Sequence, residues 1–88
     1  MSNEETLFEF PCEFPLKVMG RQNAGFEEHV MDILGRHVGE DEILGRQCRP
    51  SSNGNFVSVT VTIQAQSKQQ LDDIYLALNA SDAVLMTL

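Results

Sequence analysis

Two histidines, two cysteines and six lysines and arginines are the side chains with which this sequence could do distinctive chemistry. His29 and His37 lie eight apart in a stretch with helical periodicity. A helical metal pair needs a spacing of three or four, so no metal site is expected from them. Cys12 and Cys48 form neither a Cys-x-x-Cys motif nor a disulfide framework. No cofactor is expected either. The cations are more informative. Lys17, Arg21, Arg46 and Arg49 fall in two segments with strand character, and Ser58, Thr60 and Thr62 form a hydroxyl row on a third. Cations flanking hydroxyls would make a small, locally positive surface suited to a carboxylate or an acidic partner. The competing reading is a solvated face whose cations balance local acids.

The elements that must position these residues are organised around one strand. From Val57 to Ala65, the residues Val57, Val59, Val61, Ile63 and Ala65 alternate with Ser58, Thr60, Thr62 and Gln64. Period-two alternation is the pattern of a half-buried antiparallel strand. The turn Pro50–Asn55 leads into it, and Asn53-Gly54 is a hairpin signal because both residues tolerate positive φ. An earlier strand over 14–21 puts Phe14, Leu16 and Val18 on one face and Lys17, Met19 and Arg21 on the other. Between the two strands, Phe26, Val30, Ile33, Leu34, His37 and Val38 recur at helical spacing. Asn23 is the expected N-cap of this helix and Gly39 its expected stop. Residues 41–49 lack clean alternation and suit a short edge strand. Ser67 and Gln70 fit a capping box opening a second helix, with Leu71, Ile74, Tyr75 and Leu78 on its apolar face. Residues 82–88 are the expected last strand.

The order strand, helix, strand, strand, helix, strand, with one apolar face per helix, predicts two helices on one side of a four-stranded antiparallel sheet. Two right-handed split β-α-β units give an α+β ferredoxin-like βαββαβ sandwich. Strands 1 and 3 are then central. The far side of the sheet is expected to be open and to carry Lys17, Met19, Arg21, Phe56, Ser58, Thr60, Thr62 and Leu85.

With 88 residues there is room for one domain, expected over 7–88, behind a polar, acidic tail over 1–6. The prolines at 11 and 15 favour an extended entry, and the phenylalanines at 8, 10 and 14 are expected to pack on the domain. Thirteen acids against six bases give a net charge of −7. Such a chain repels phosphate backbones, so nucleic acid is disfavoured as a partner. The sequence has no apolar run long enough to span a membrane and no charged-then-apolar leader. No membrane association is expected, and a reducing cytoplasm is the expected location.

The same fold hosts acylphosphatases, which cradle phosphate in the loop after strand 1 and follow it with an arginine. Here Phe26 is followed by Glu27, of the wrong sign, and Arg21 precedes the loop, so a hydrolase of that kind is not expected. RNA-recognition domains of the same topology stack bases on central-strand aromatics. This chain offers Phe56 and then hydroxyls, on an acidic background.

The stretch Phe14-Pro15-Leu16-Lys17-Val18-Met19-Gly20, the turn Arg49-Pro50-Ser51-Ser52-Asn53-Gly54-Asn55-Phe56 and the following Ser58-Val59 resemble the YbeD-like family of small bacterial proteins. The resemblance implies a ferredoxin-like domain similar to the small-molecule-binding ACT regulatory domains. It also implies a family of uncertain function linked to regulation around lipoate metabolism, with no catalytic residues to carry over. In ACT domains the loop after strand 1 holds amino-acid effectors, which by analogy makes Gly20, Asn23 and Gly25 ligand-loop candidates. The competing reading is that the glycines permit a tight turn and Asn23 caps a helix. The resulting expectation is a non-enzymatic regulatory or adaptor protein, monomeric or weakly dimeric. It would bind a partner protein or small effector through the open sheet. The alternative is an ACT-like sensor of an amino acid or related carboxylate.

Overall fold

A computed structural model describes residues 9–87. The tail expected over 1–6, and Leu7, Phe8 and Leu88, lie outside the described residues. Four strands form one antiparallel sheet: β1 (Cys12–Arg21), β2 (Ile43–Pro50), β3 (Phe56–Ala65) and β4 (Val84–Thr87), in the order β2-β3-β1-β4. The helices α1 (Phe26–Leu34) and α2 (Lys68–Asn79) connect β1 to β2 and β3 to β4. This is the expected ferredoxin-like topology, with β1 and β3 central.

The alternation in β3 is strict. Val57, Val59, Val61, Ile63 and Ala65 are all buried, and the residues between them are partly exposed. In β1, Leu16 and Val18 are fully buried on the same side. Against them pack Phe26, Val30, Ile33 and Leu34 of α1, and Leu71, Ile74 and Leu78 of α2. Each such side chain contributes about 1.5–3 kcal/mol on burial, so a domain this small depends on this single cluster. Phe10 and Phe14 are partly buried against it, as expected of the entry arm.

Four local expectations are corrected. Asn23 does not cap α1. Gly25 occupies the N-cap position without a side-chain bond, and the Oδ1 of Asn23 accepts from the Gly25 amide at 2.8 Å, an Asx turn two residues earlier. The helix ends at Leu34, not at Gly39. Gly35 is its C-cap, and turn hydrogen bonds from Arg36, His37 and Val38 carry the chain on, so Val38 is still buried. Asp41 and Glu42 belong to a 3-10 turn over Glu40–Glu42 and not to β2. At α2, the Ser67 hydroxyl accepts from the Gln70 amide as expected. The Gln70 side chain, however, accepts from Gln66 N–H, and donates to the His37 carbonyl at 2.9 Å. Gln70 in the first turn of α2 thereby ties that helix to the turn that follows α1.

Both edge strands contain a one-residue irregularity. Ile43 pairs with Ile63, but Gly45 pairs with Thr62, leaving Leu44 as the extra residue of β2. Met19 pairs with Met86, but Gly20 pairs with Val84, leaving Leu85 as the extra residue of β4. A bulge of this kind changes which face the following side chains occupy.

Candidate functional site

The hairpin before β3 holds itself. Gly54 adopts φ 76°, a left-handed conformation that favours glycine. Asn53 Oδ1 accepts from the Ser51 hydroxyl at 2.7 Å and from the Asn55 amide at 3.1 Å, and Ser51 Oγ accepts from the Phe56 amide. The polar side chains of this turn thus set the start of β3. Asn55 also accepts from Gln22 N–H at 2.9 Å, which fixes the hairpin against the end of β1.

From there the open face can be read off the register. Lys17 pairs with Thr60, Met19 with Ser58 and Arg21 with Phe56, so all six project on the side away from the helices. Across the other flank of β3, Gln47 pairs with Thr60 and Arg49 with Ser58. Lys17, Gln47, Arg49, Ser58 and Thr60 line a shallow polar hollow of about 130 Å³. Four of these five were candidates from sequence, and Gln47 was missed. Thr62 continues the row, opposite Pro15 and Gly45.

Arg46 does not join them. It pairs with buried Val61, which puts it on the helix side, where its Nε lies 3.4 Å from a carboxylate oxygen of Glu27. Arg46 and Arg49 are three residues apart, and an odd separation along a strand places side chains on opposite faces. That signal was present in the sequence. Cys48 is also on the helix side. Loss of hydration, the negative charge of Glu27 and a hydrogen bond to that carboxylate push its thiol up, away from the reactive thiolate form.

Next to the polar hollow is an apolar one of about 230 Å³, lined by Met19, Phe56, Leu85 and Met86. Met86 was missed because the bulge at Leu85 decides its face. Leu85 and Met86 are each 50% exposed, on the surface of the short edge strand. A third hollow, lined in part by Met19, Arg49, Phe56 and Ser58, joins the other two. Together they make one trough across all four strands, polar at the β2 end and apolar at the β4 end.

Charge is distributed unevenly around it. Arg36, Arg46 and Lys68 pair with Asp32, Glu27 and Asp72 at 3.0, 3.4 and 3.1 Å. Lys17, Arg21 and Arg49 have no ion-pair partner among the described residues, and all three belong to the open face. The acid with strand register on that face is Glu13, opposite Gln64 at the far end of β1.

The three loop candidates separate. Gly20 is buried, and a Cβ there would run into the Phe26 ring and come within 2.6 Å of the Ala83 carbonyl oxygen. Its role is close packing. Asn23 and Gly25 are exposed and line a hollow of about 390 Å³ with Arg21, His29, Asp82 and Ala83. His29 Nε2 is 2.7 Å from Ser81 Oγ, a link between α1 and the approach to β4. Among the described residues, no group of three or more His, Cys, Asp or Glu side chains is placed to hold a metal, and no helix is long and apolar enough to cross a membrane.

Comparison with solved structures supports the fold. HP0495 from H. pylori superposes with a TM-score of 0.65 over 100% of this chain and 94% of its own, at 16% identity. The C-terminal domain of the MgtC protein from Mycobacterium tuberculosis gives 0.66 over 92% and 88%, at 12% identity. Sequence relatives are much nearer. A UPF0250 protein of Paraburkholderia phytofirmans is 42% identical over 99% of this chain and 98% of its own length. One from Nitrosomonas europaea is 41% identical over 97% and 98%. A family profile described as "Protein of unknown function (DUF493)" matches residues 5–88. The chain therefore belongs to the DUF493 family of UPF0250 proteins, the YbeD-like group that its strand and turn motifs resemble.

Proposed function

We propose that this protein is a non-enzymatic adaptor that binds a partner protein through the open face of its sheet. The observation that carries the reading is the gathering of three cations without an ion-pair partner among the described residues, in a chain of net charge −7, beside an exposed apolar hollow on that face. Folding does not require this arrangement, since the core lies on the opposite side. The trough is shallow and open along its length. A small ligand is held by a site that surrounds most of its surface, whereas a broad strip across four strands suits a polypeptide.

The test is a photo-crosslinking residue at Thr62, beside the trough, with a control at Gln69 on α2. Discrete adducts in cells from position 62 and none from 69 are the expected result. Equal labelling from both positions would refute the reading.

A second reading has its own observation. The 390 Å³ hollow beside Asn23 and Gly25 is where an ACT-like sensor would hold an amino acid or related carboxylate. A ligand that binds only the folded state raises apparent stability. This reading therefore expects a thermal shift with amino acids, lipoate or octanoate, and uniform silence across those compounds counts against it.

A further inference from the structure

We infer that the occupant of the trough is an extended acidic segment carrying a large apolar side chain, which lies across the strands with its apolar residue at the β4 end and its carboxylates at the β2 end. The inference rests on the open-face reading above and names the chemistry of the partner.

Three features define that chemistry. The first is polarity along the trough. At one end Lys17 and Arg49 project beside the hydroxyls of Ser58 and Thr60, and these groups together can donate several hydrogen bonds to carboxylates. At the other end the lining is wholly apolar, supplied by Met19, Phe56, Leu85 and Met86. Methionines are well suited to such a site because the flexible thioether adapts to an incoming side chain. The second feature is charge. Lys17, Arg21 and Arg49 outnumber the one acid with strand register on this face among the described residues, while the chain as a whole is strongly acidic. An acidic segment would be attracted here and repelled elsewhere, which sets its docking position. The third is length. Four strands make three interstrand spacings, about 14 Å in all, which is the reach of roughly four to five extended residues. One carboxylate cluster and one apolar anchor fit within that distance.

Single-stranded nucleic acid would also meet cations and an aromatic on this face. Its phosphates would face the net negative charge of the rest of the molecule, and the trough offers Phe56 as its one aromatic among the described lining residues. The acidic polypeptide is therefore the better match.

The test uses the full chain and a fluorescein-labelled octapeptide in which a leucine–phenylalanine pair is flanked by three glutamates on each side. Two control peptides replace the glutamates with lysines or the apolar pair with serines, and a labelled uridine octamer is the nucleic-acid control. Anisotropy gives affinities, and amide shifts in heteronuclear spectra give the location. The acidic peptide is expected to bind with shifts at Lys17, Met19, Arg49 and Met86, and both control peptides to bind at least roughly tenfold more weakly. Arg49→Glu and Met86→Ser are each expected to weaken the acidic peptide by a similar factor. Both positions are exposed, and Lys17→Glu on a different strand serves if either variant fails to fold. Equal binding of the lysine peptide, tighter binding of the uridine octamer, shifts confined to the Asn23 loop, or indifference to all three substitutions would overturn the inference. If position 62 still crosslinks a partner in cells while the acidic peptide is silent, the inference fails and the open-face reading stands. If both are silent, both fail.

Discussion

The two faces of β3 are built from alternate residues of one strand, yet they answer to different constraints. On the helix side, five aliphatic residues are 0–3% exposed and share one buried cluster with residues of both helices and β1. Their size and shape are set by packing. On the open side, no helix among the described residues covers the half-buried Phe56, Ser58, Thr60, Thr62 and Gln64, so helix packing places no demand on their size. Hydroxyls flanked by cations that have no ion-pair partner among the described residues, next to two methionines, are a particular choice where stability leaves many open. Residue types that stability does not demand are where a function can be read.

Four measurements would break or sharpen this contrast. Ile63→Ala removes a fully buried side chain from the covered face, and urea denaturation should show a loss of about 2–5 kcal/mol. Gly20→Val tests the same side at the contact with Phe26 and Ala83. Because the neighbour is partly backbone and cannot give way, about 1–3 kcal/mol should be lost. Thr60→Ala, on the same strand and three residues from Ile63, should change stability by no more than about 0.5 kcal/mol. A loss from Thr60→Ala comparable to that of Ile63→Ala would erase the distinction between the faces. The smallest effect concerns the helix-side edge of β2. Glu27→Gln removes the negative charge that helps hold the Cys48 thiol protonated, so more thiolate should form at pH 8. Alkylation by iodoacetamide should then run about two- to fivefold faster, and an unchanged rate would mean that Cys48 and Glu27 are not in contact.

How far the sequence could be read follows the same division. The central strands were legible because their alternation is unbroken, and so were the topology, the core and four of the five residues of the polar hollow. The three failures on the open face, Arg46, Gln47 and Met86, all arise in edge strands. Leu44 shifts the pairing of β2 by one, and Leu85 shifts that of β4. A single unpaired residue reverses the faces of all that follow, and its position depends on the partner strand, which periodicity within one segment does not report. Met86 was overlooked for this reason, whereas Arg46 and Gln47 could have been placed by their odd and even separations from Arg49 along β2. The early end of α1 has a related cause. Val38 remains buried through a turn of i→i−3 and i→i−4 hydrogen bonds beyond Leu34, so the apolar period outlasts the regular helix.

The bulge at Leu85 has a further effect, on solubility. A flat edge strand that shows apolar residues is a template on which other chains can stack. Here the β4 edge is four residues long and locally kinked, and beyond it the outer edge of β1 includes Pro15, which has no amide hydrogen to donate. The β4 edge thus exposes Leu85 and Met86 while offering a second copy no straight backbone to pair with there, and a net charge of −7 opposes the close approach of copies.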